Sequence, residues 1–330
     1  MTDIERYADK AMFPAEPMAS IKPSVSLLWM TPDPLGAVAA ASRMYEGKPT
    51  YSLSDITDDE RLHHWNEMKK TKLVAPLEFV KFHFFIEGVT REFTHQMVRQ
   101  RTAAYAQESL RFAVKEDVVG AVRKPPSLLD AELSHSERNI RHDAWDSAVQ
   151  AAEQAYLALI ANGVPAEDAR GLLPHAITTR LNYTTDLRNL LEHGGNRLCT
   201  QAQFEWKEFW QGPHGVIEAI RGYWEKAPNI VDNTWLEDDM SEVAYDNRWQ
   251  FETLTEVFLP ACYHAGKCPF KAEFDRGCTI RSRVDAFHQA GISSEEWGRD
   301  HYAEPPLRGM ISAIRREEWA NDPKAGWTHL

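Results

Sequence analysis

The chain has 330 residues, 43% of them apolar and 11% aromatic, so it can bury a sizeable core as one large domain or two smaller ones. Its formal net charge of −12 argues against holding a nucleic-acid backbone, and no nucleic-acid partner is expected. No apolar run reaches the length of a membrane span, and the first ten residues carry Asp3, Glu5 and Asp9 where a signal peptide has an apolar stretch. A cytoplasmic protein with reduced cysteines is the expectation.

In chain order, residues 1–22 read as a loose arm. Val25 to Met30 reads as a short buried strand, broken by Thr31-Pro32-Asp33-Pro34. Leu35 to Met44 is Ala-rich and helical, and Asp58 to Lys70 reads as a polar helix. Val80, Phe82, Phe84 and Ile86 alternate with other residues as a strand does, and Glu87-Gly88 is expected to end it. Val89, Phe93 and Met97 recur every fourth residue, predicting a helix that presents Gln96 and Arg99 on one face and carries Arg101 further round. Trp145, Ala148, Val149, Ala152, Ala155, Tyr156, Leu159 and Ile160 form a helical stripe that Asn162-Gly163 ends. Thr179, Leu181 and Tyr183 alternate again, Asp186 is placed to cap the next helix, and Gly194-Gly195 is expected to interrupt it. Beyond about residue 212 the chain turns rich in Trp, charge and Pro and holds three of the four Cys.

Neither common Gly-rich phosphate loop is present, so an anionic ligand would need Arg side chains and helix N-termini. The candidate is the run Gln96 to Phe112, where Arg99, Arg101, Ser109 and Arg111 fall within thirteen residues. Such a set suits phosphate oxygens, and it equally fits a solvated basic helix face.

Arg99-Gln100-Arg101, seven residues, then Ser109 resembles the signature of the flavin-dependent thymidylate synthases: Arg, usually His, Arg, seven residues, Ser. Val25 to Arg43, Phe79 to Val98, Ala169-Arg170-Gly171-Leu172-Leu173-Pro174, Asp186-Leu187-Arg188, Arg197, and Ala202-Gln203-Phe204-Glu205 resemble further blocks of that family in order and spacing. The likeness spans roughly residues 23–215, leaving 216–330 as a C-terminal extension.

The resemblance implies an α/β (α+β) fold with a mixed sheet flanked by helices, assembled as a homotetramer whose sites draw on several subunits. It implies FAD as cofactor, NADPH as reductant, methylene-tetrahydrofolate as one-carbon donor and dUMP as acceptor at ring carbon 5. No enzyme Cys attacks the ring in that family, and none of the four Cys here lies near the signature. By position, Arg99, Gln100, Arg101, Gln107, Asp186 and Arg188 fall on the flavin side. Gln96, Ser109, Leu110 (through its backbone), Arg111 and Arg170 would hold the nucleotide. Arg197 would lie beside the uracil ring and stabilise charge developing there. Each has a local alternative: Asp186 also reads as only a helix cap, and Arg170 and Arg197 as ordinary surface ion pairs.

Several positions depart from the family pattern. Gln100 replaces a His, Gln107 a Glu, Phe112 a Tyr and Asp186 an Asn, and Lys72 to Phe79 lacks two His of a Gly-His-x-x-Pro-Phe-Glu-His stretch. Glutamine takes no proton. Two alternatives therefore stand beside dUMP methylation: another flavin-dependent modification at carbon 5, such as hydroxymethylation, and a non-catalytic flavin- or nucleotide-binding protein. In the tail, Cys262, His264, Cys268 and Cys278 have the residue types of a closed structural zinc site, with small buried thiols as the other reading.

Overall fold

The computed structural model describes residues 21–70, 74–128, 133–199, 202–225, 248–265 and 268, with the backbone alone at 70, 225, 264 and 265. Four stretches of alternating burial form the strands β1 (Ser24–Met30), β2 (Lys81–Thr90), β3 (Ala104–Gln107) and β4 (Thr178–Asp186). They pair in the order β1-β2-β4-β3. Every pairing among these strands is antiparallel, whereas a mixed sheet was expected from the sequence. Alternation reports which face is buried and carries no information on strand direction.

The inward face presents Val25, Leu27, Phe82, Phe84, Ile86, Leu181 and Tyr183 to the main core. The rings of Phe84, Tyr183 and Tyr105 stack side by side across β2, β4 and β3, with centroids 5.9 and 5.2 Å apart. Helices cover this face. They include α1 (Pro34–Tyr45), α2 (Asp58–Lys70), α3 (Arg91–Met97), α7 (Leu187–Arg197) and α8 (Phe204–Gln211). A second, smaller cluster lies under α4 (Val118–Ala121), α5 (His135–Ala161) and α6 (Ala166–Ala169). It joins Leu110, Val118, Val122, Val149, Tyr156, Ala169, Leu173 and Ile177.

Glu87-Gly88 does not end β2. The strand runs on to Thr90 through a register shift between Ile86 and Val89, and Gly88 absorbs it at φ +71°. A β-carbon on Gly88 would lie 2.3 Å from the Lys22 carbonyl oxygen. Nor does Gly194-Gly195 break α7, which continues to Arg197. Gly194 lets the Trp210 ring approach, since a β-carbon there would lie 3.1 Å from that ring. A glycine pair thus marks close packing here and not a helix end.

The segment after residue 215 shares the main core. Helix α9 (Val216–Arg221) contributes Val216, Ile217 and Ile220, and α10 (Arg248–Glu256) contributes Phe251 and Leu254. The Gln250 side-chain oxygen accepts from the Leu35 backbone N–H at the start of α1. Cys262, in α11 (Ala261–Ala265), is buried in this same core. The described part of the C-terminal extension is therefore integral to the domain it follows. No helix among the described residues is long and apolar enough to cross a membrane.

Replacing Gly88 by Ala forces a non-glycine residue into a left-handed backbone against a fixed carbonyl. A loss of about 1–3 kcal/mol is expected, read as a lower midpoint in denaturant unfolding with the slope unchanged. A midpoint equal to the parent's would mean the bulge relaxes freely.

Candidate functional site

Thr90 starts α3 by accepting from the Phe93 backbone N–H. The helix is short: it stops at Met97, with Val98 as its C-cap. Arg99 and Arg101 therefore sit on the turn after the helix and not on its face, contrary to the periodicity reading. Both are exposed, and neither has an ion-pair partner among the described residues. Free guanidinium groups on a turn suit the pyrophosphate of a dinucleotide.

Gln100, between them, points inward. Its Nε2 donates to the Asn189 carbonyl at 2.9 Å, and its Oε1 accepts from the Tyr183 hydroxyl at 2.8 Å. Tyr105 donates to the Met97 and Gln100 carbonyls at 3.0 and 3.2 Å. Asn189 is itself held by Asp186, whose carboxylate accepts from its backbone and side-chain nitrogens and so caps α7. Lys81 pairs with the same carboxylate at 3.3 Å. Burial pushes the Tyr183 and Tyr105 hydroxyls far above the ordinary phenol range. Both tyrosines that meet Gln100 thus stay protonated near neutrality, and Gln100 fixes the turn from within. Gln107, on β3, donates to Thr94 Oγ1 at 2.8 Å. Arg188 is exposed and paired with Glu78.

Beyond β3 the chain enters the smaller cluster. Burial of Leu110 pins Ser109 and Arg111, while burial of Ala169 and Leu173 pins Arg170. Arg111 Nη2 and Glu167 Oε2 are 2.7 Å apart, and Arg170 Nε donates to the Glu167 carbonyl at 3.0 Å. The Ser109 hydroxyl accepts from the Arg111 backbone N–H at 3.2 Å. Arg111 and Arg170, 59 residues apart in sequence, thus both meet Glu167, Arg111 at its exposed carboxylate and Arg170 at its backbone carbonyl, with Ser109 held beside Arg111.

Arg197 ends α7 and lies over the Trp206 ring, 4.8 Å from its centroid. Its Nη1 donates to Gln96 Oε1 at 3.1 Å, and Trp206 Nε1 donates to the same oxygen at 3.0 Å. Burial, with Arg99 nearby, pulls its pKa below the ordinary guanidinium value. Gln96 Nε2 donates to Gln203 Oε1, and Gln203 Nε2 donates to Glu205 Oε2 at 3.0 Å. Glu205 is fully buried, accepts from the Thr90 N–H and hydroxyl at 2.9 and 2.6 Å, and pairs with Arg123 at 3.2 Å. Burial raises its pKa, and Arg123 and Thr90 oppose that rise. Arg123 also meets Glu208.

The structure therefore gathers the expected residues into three groups: the Arg99–Arg101 turn with Asp186, the Ser109–Arg111–Arg170 corner, and Arg197 with Gln96. Sequence reading missed Tyr183, Asn189, Trp206 and Arg123, because nothing local marks a partner about 80 to 110 residues away. Among the described residues no group of three or more His, Cys, Asp or Glu is placed to hold a metal ion. Of the proposed zinc quartet, Cys278 and the His264 side chain lie outside the described residues.

A family model described as thymidylate synthase complementing protein matches residues 26–212, which contain all three groups. The chain belongs to this family. A flavin-dependent thymidylate synthase of Geobacter sulfurreducens is 36% identical over 189 residues, covering 55% of this chain and 76% of that protein. One from Pyrococcus furiosus is 34% identical over 264 residues, covering 78% and 94%. The crystal structure of PolB, a UMP/dUMP methylase of Streptomyces cacaoi, aligns over 63% of this chain and 92% of that one, at TM-score 0.49 and 19% identity. The Pyrococcus alignment runs well past the family core, in keeping with the packing of α9 and α10 onto it.

One buried group of this family member stands outside the three sets. His193, one turn before Arg197, is edge-on to Trp206 at 4.9 Å. Burial, then the Arg197 charge, lowers its pKa from the ordinary 6.5 to about 4. Between those two values the unfolded chain binds more protons at this residue than the folded one, so stability falls as pH falls through the window. Full titration corresponds to roughly 3 kcal/mol. In His193→Leu the melting temperature is expected to fall less steeply between about pH 7 and pH 5, since the residue then binds no proton in either state; an unaltered slope in thermal melts would refute the assignment.

Proposed function

We propose that this chain methylates dUMP to dTMP, using FAD, with methylene-tetrahydrofolate as the one-carbon donor and NADPH as the reductant. The observation that carries the reading is the spacing of anion-binding groups about β3. Arg99 and Arg101 lie before it, and Ser109 and Arg111 lie after it beside Arg170. Two separated phosphate-bearing ligands fit such a layout better than one. The relatives named as flavin-dependent thymidylate synthases support the same chemistry.

In this reading Arg99 and Arg101 hold the FAD pyrophosphate, and Asp186 and Arg188 lie on the flavin side. Gln100 and Gln107 serve that side from within, through Tyr183, Asn189 and Thr94. FAD, once bound and reduced, supplies the electrons for turning the transferred one-carbon unit into a methyl group. Ser109, the Leu110 backbone and Arg111, with Arg170, take the nucleotide phosphate, and Arg111 exchanges Glu167 for it. Arg197, half-buried and cationic, faces the uracil ring and stabilises negative charge developing there. The sites are completed by other subunits of a homotetramer. Ile140, Ala148 and Ala155 on the outer side of α5 are exposed in the single chain, as a surface awaiting a second copy would be.

Incubating the purified protein with FAD, NADPH, methylene-tetrahydrofolate and dUMP is expected to add one methyl group, seen as a mass increase of the nucleotide. Arg197→Ala is expected to lower the rate by about 10²-fold or more while FAD stays bound. A hydroxymethyl product would transfer the reading to a related carbon-5 modification. A protein that takes up no FAD would rule out both.

A further inference from the structure

The side chains of Gln96, Gln203 and Glu205 form a line that ends on Arg197. Arg197 Nη1 and Trp206 Nε1–H are donors only, so the Gln96 atom they share must be its oxygen. Gln96 Nε2 is then directed at Gln203, which must present its own oxygen. That leaves Gln203 Nε2 facing Glu205, an acceptor when ionised. Each amide orientation is forced from both ends: by a guanidinium at one and by a buried carboxylate at the other. Thr90 and Arg123 hold that carboxylate from three further directions. Both lone pairs of the Gln96 oxygen and one of its two amide hydrogens are used within the chain.

We infer that Gln203 and Gln96 are positioning residues, which transmit the fixed place of the Glu205 carboxylate to the Arg197 guanidinium. Gln96 then acts on the reaction through Arg197 more than by grasping the nucleotide. The inference rests on the dUMP-methylating reading, in which Arg197 faces the ring. The guanidinium lies over the Trp206 ring and is tethered at Nη1, so its planar fork is held from two sides before any ligand arrives. A lysine at 197 has neither the plane nor the fork.

The test is a double-mutant cycle on the full-length holoenzyme, combining Gln203→Leu with Arg197→Lys. Nucleotide affinity is measured separately by equilibrium dialysis of dUMP. Gln203→Leu is expected to lower kcat about 10-fold, with the dUMP Kd within about 3-fold of the parent, because the amide is lost from positioning and not from binding. The double variant is expected to be no more than about 3-fold slower than Arg197→Lys alone, since the second change has nothing left to misplace. Rate losses that multiply would overturn the inference, as would a raised Kd with kcat intact. If Gln203→Leu does not fold, Gln96→Met removes the same tether without touching Glu205, and the same cycle applies. If the parent leaves dUMP unchanged, the reaction reading falls by itself. The positioning is then decided by crystal structures of the parent and Gln96→Met: a displaced Arg197 guanidinium upholds it, and an unmoved one overturns it.

Discussion

A carboxylate with no exposed surface holds the functional half of this molecule together. Glu205 enters the core at the start of α8 and is met there by Thr90, Arg123 and Gln203. A buried charge is tolerated only when its lone pairs are satisfied, and here donors from two distant parts of the chain, Thr90 and Arg123, join the neighbouring Gln203 to satisfy them. Thr90 is also the residue that converts β2 into α3, so the Arg-bearing turn and α8 share one anchor. Trp206, the next residue along α8, then gives Arg197 its resting face. Removing either partner of such a pair leaves an uncompensated charge, which makes the arrangement all-or-none.

Around that anchor, the sheet and the smaller cluster divide the work. The sheet supplies stiffness: the Phe84–Tyr183–Tyr105 stack locks three strands, and Tyr183 and Tyr105 reach out of it to fasten Gln100 and its turn. The smaller cluster supplies placement. Leu110, Ala169 and Leu173 are small investments of apolar surface, yet they bring Ser109, Arg111 and Arg170 to one corner while keeping the charged ends in water. Long cationic side chains can then exchange an internal carboxylate for an external phosphate at little cost, because exposed ion pairs are weak. The amides at Gln100 and Gln107 fit this scheme: Gln100 uses donor and acceptor together to fix its turn, and Gln107 donates to Thr94 from β3.

Much of this was legible beforehand. The strands at Val25–Met30, Val80–Ile86 and Thr179–Tyr183, the long helix under Trp145–Ile160 and the cap at Asp186 follow from periodicity and local hydrogen bonding, which act within a few residues. The Arg-x-Arg-x7-Ser spacing with its companion blocks pointed to the family. Misreadings fell where local signals conflict with packing. Glycine reads locally as a breaker at 88 and 194, yet at both places the chain needs room for a neighbour. The Phe93–Met97 period was extended to Arg101, although the helix yields at Val98.

What the sequence by itself determined is the inventory and the local order: which segments alternate, which spiral, and which guanidinium, hydroxyl and amide groups stand at family spacing. Tertiary structure alone decided strand direction, the inclusion of residues 216–225 and 248–263 in the main core, and which polar groups are spent on one another. The reason is physical. Periodicity records the face a residue turns to the interior, while a hydrogen bond between residues 96 and 203 or 123 and 205 depends on where two remote segments come to rest. No local pattern encodes that meeting, and it exists only once the core has closed around it.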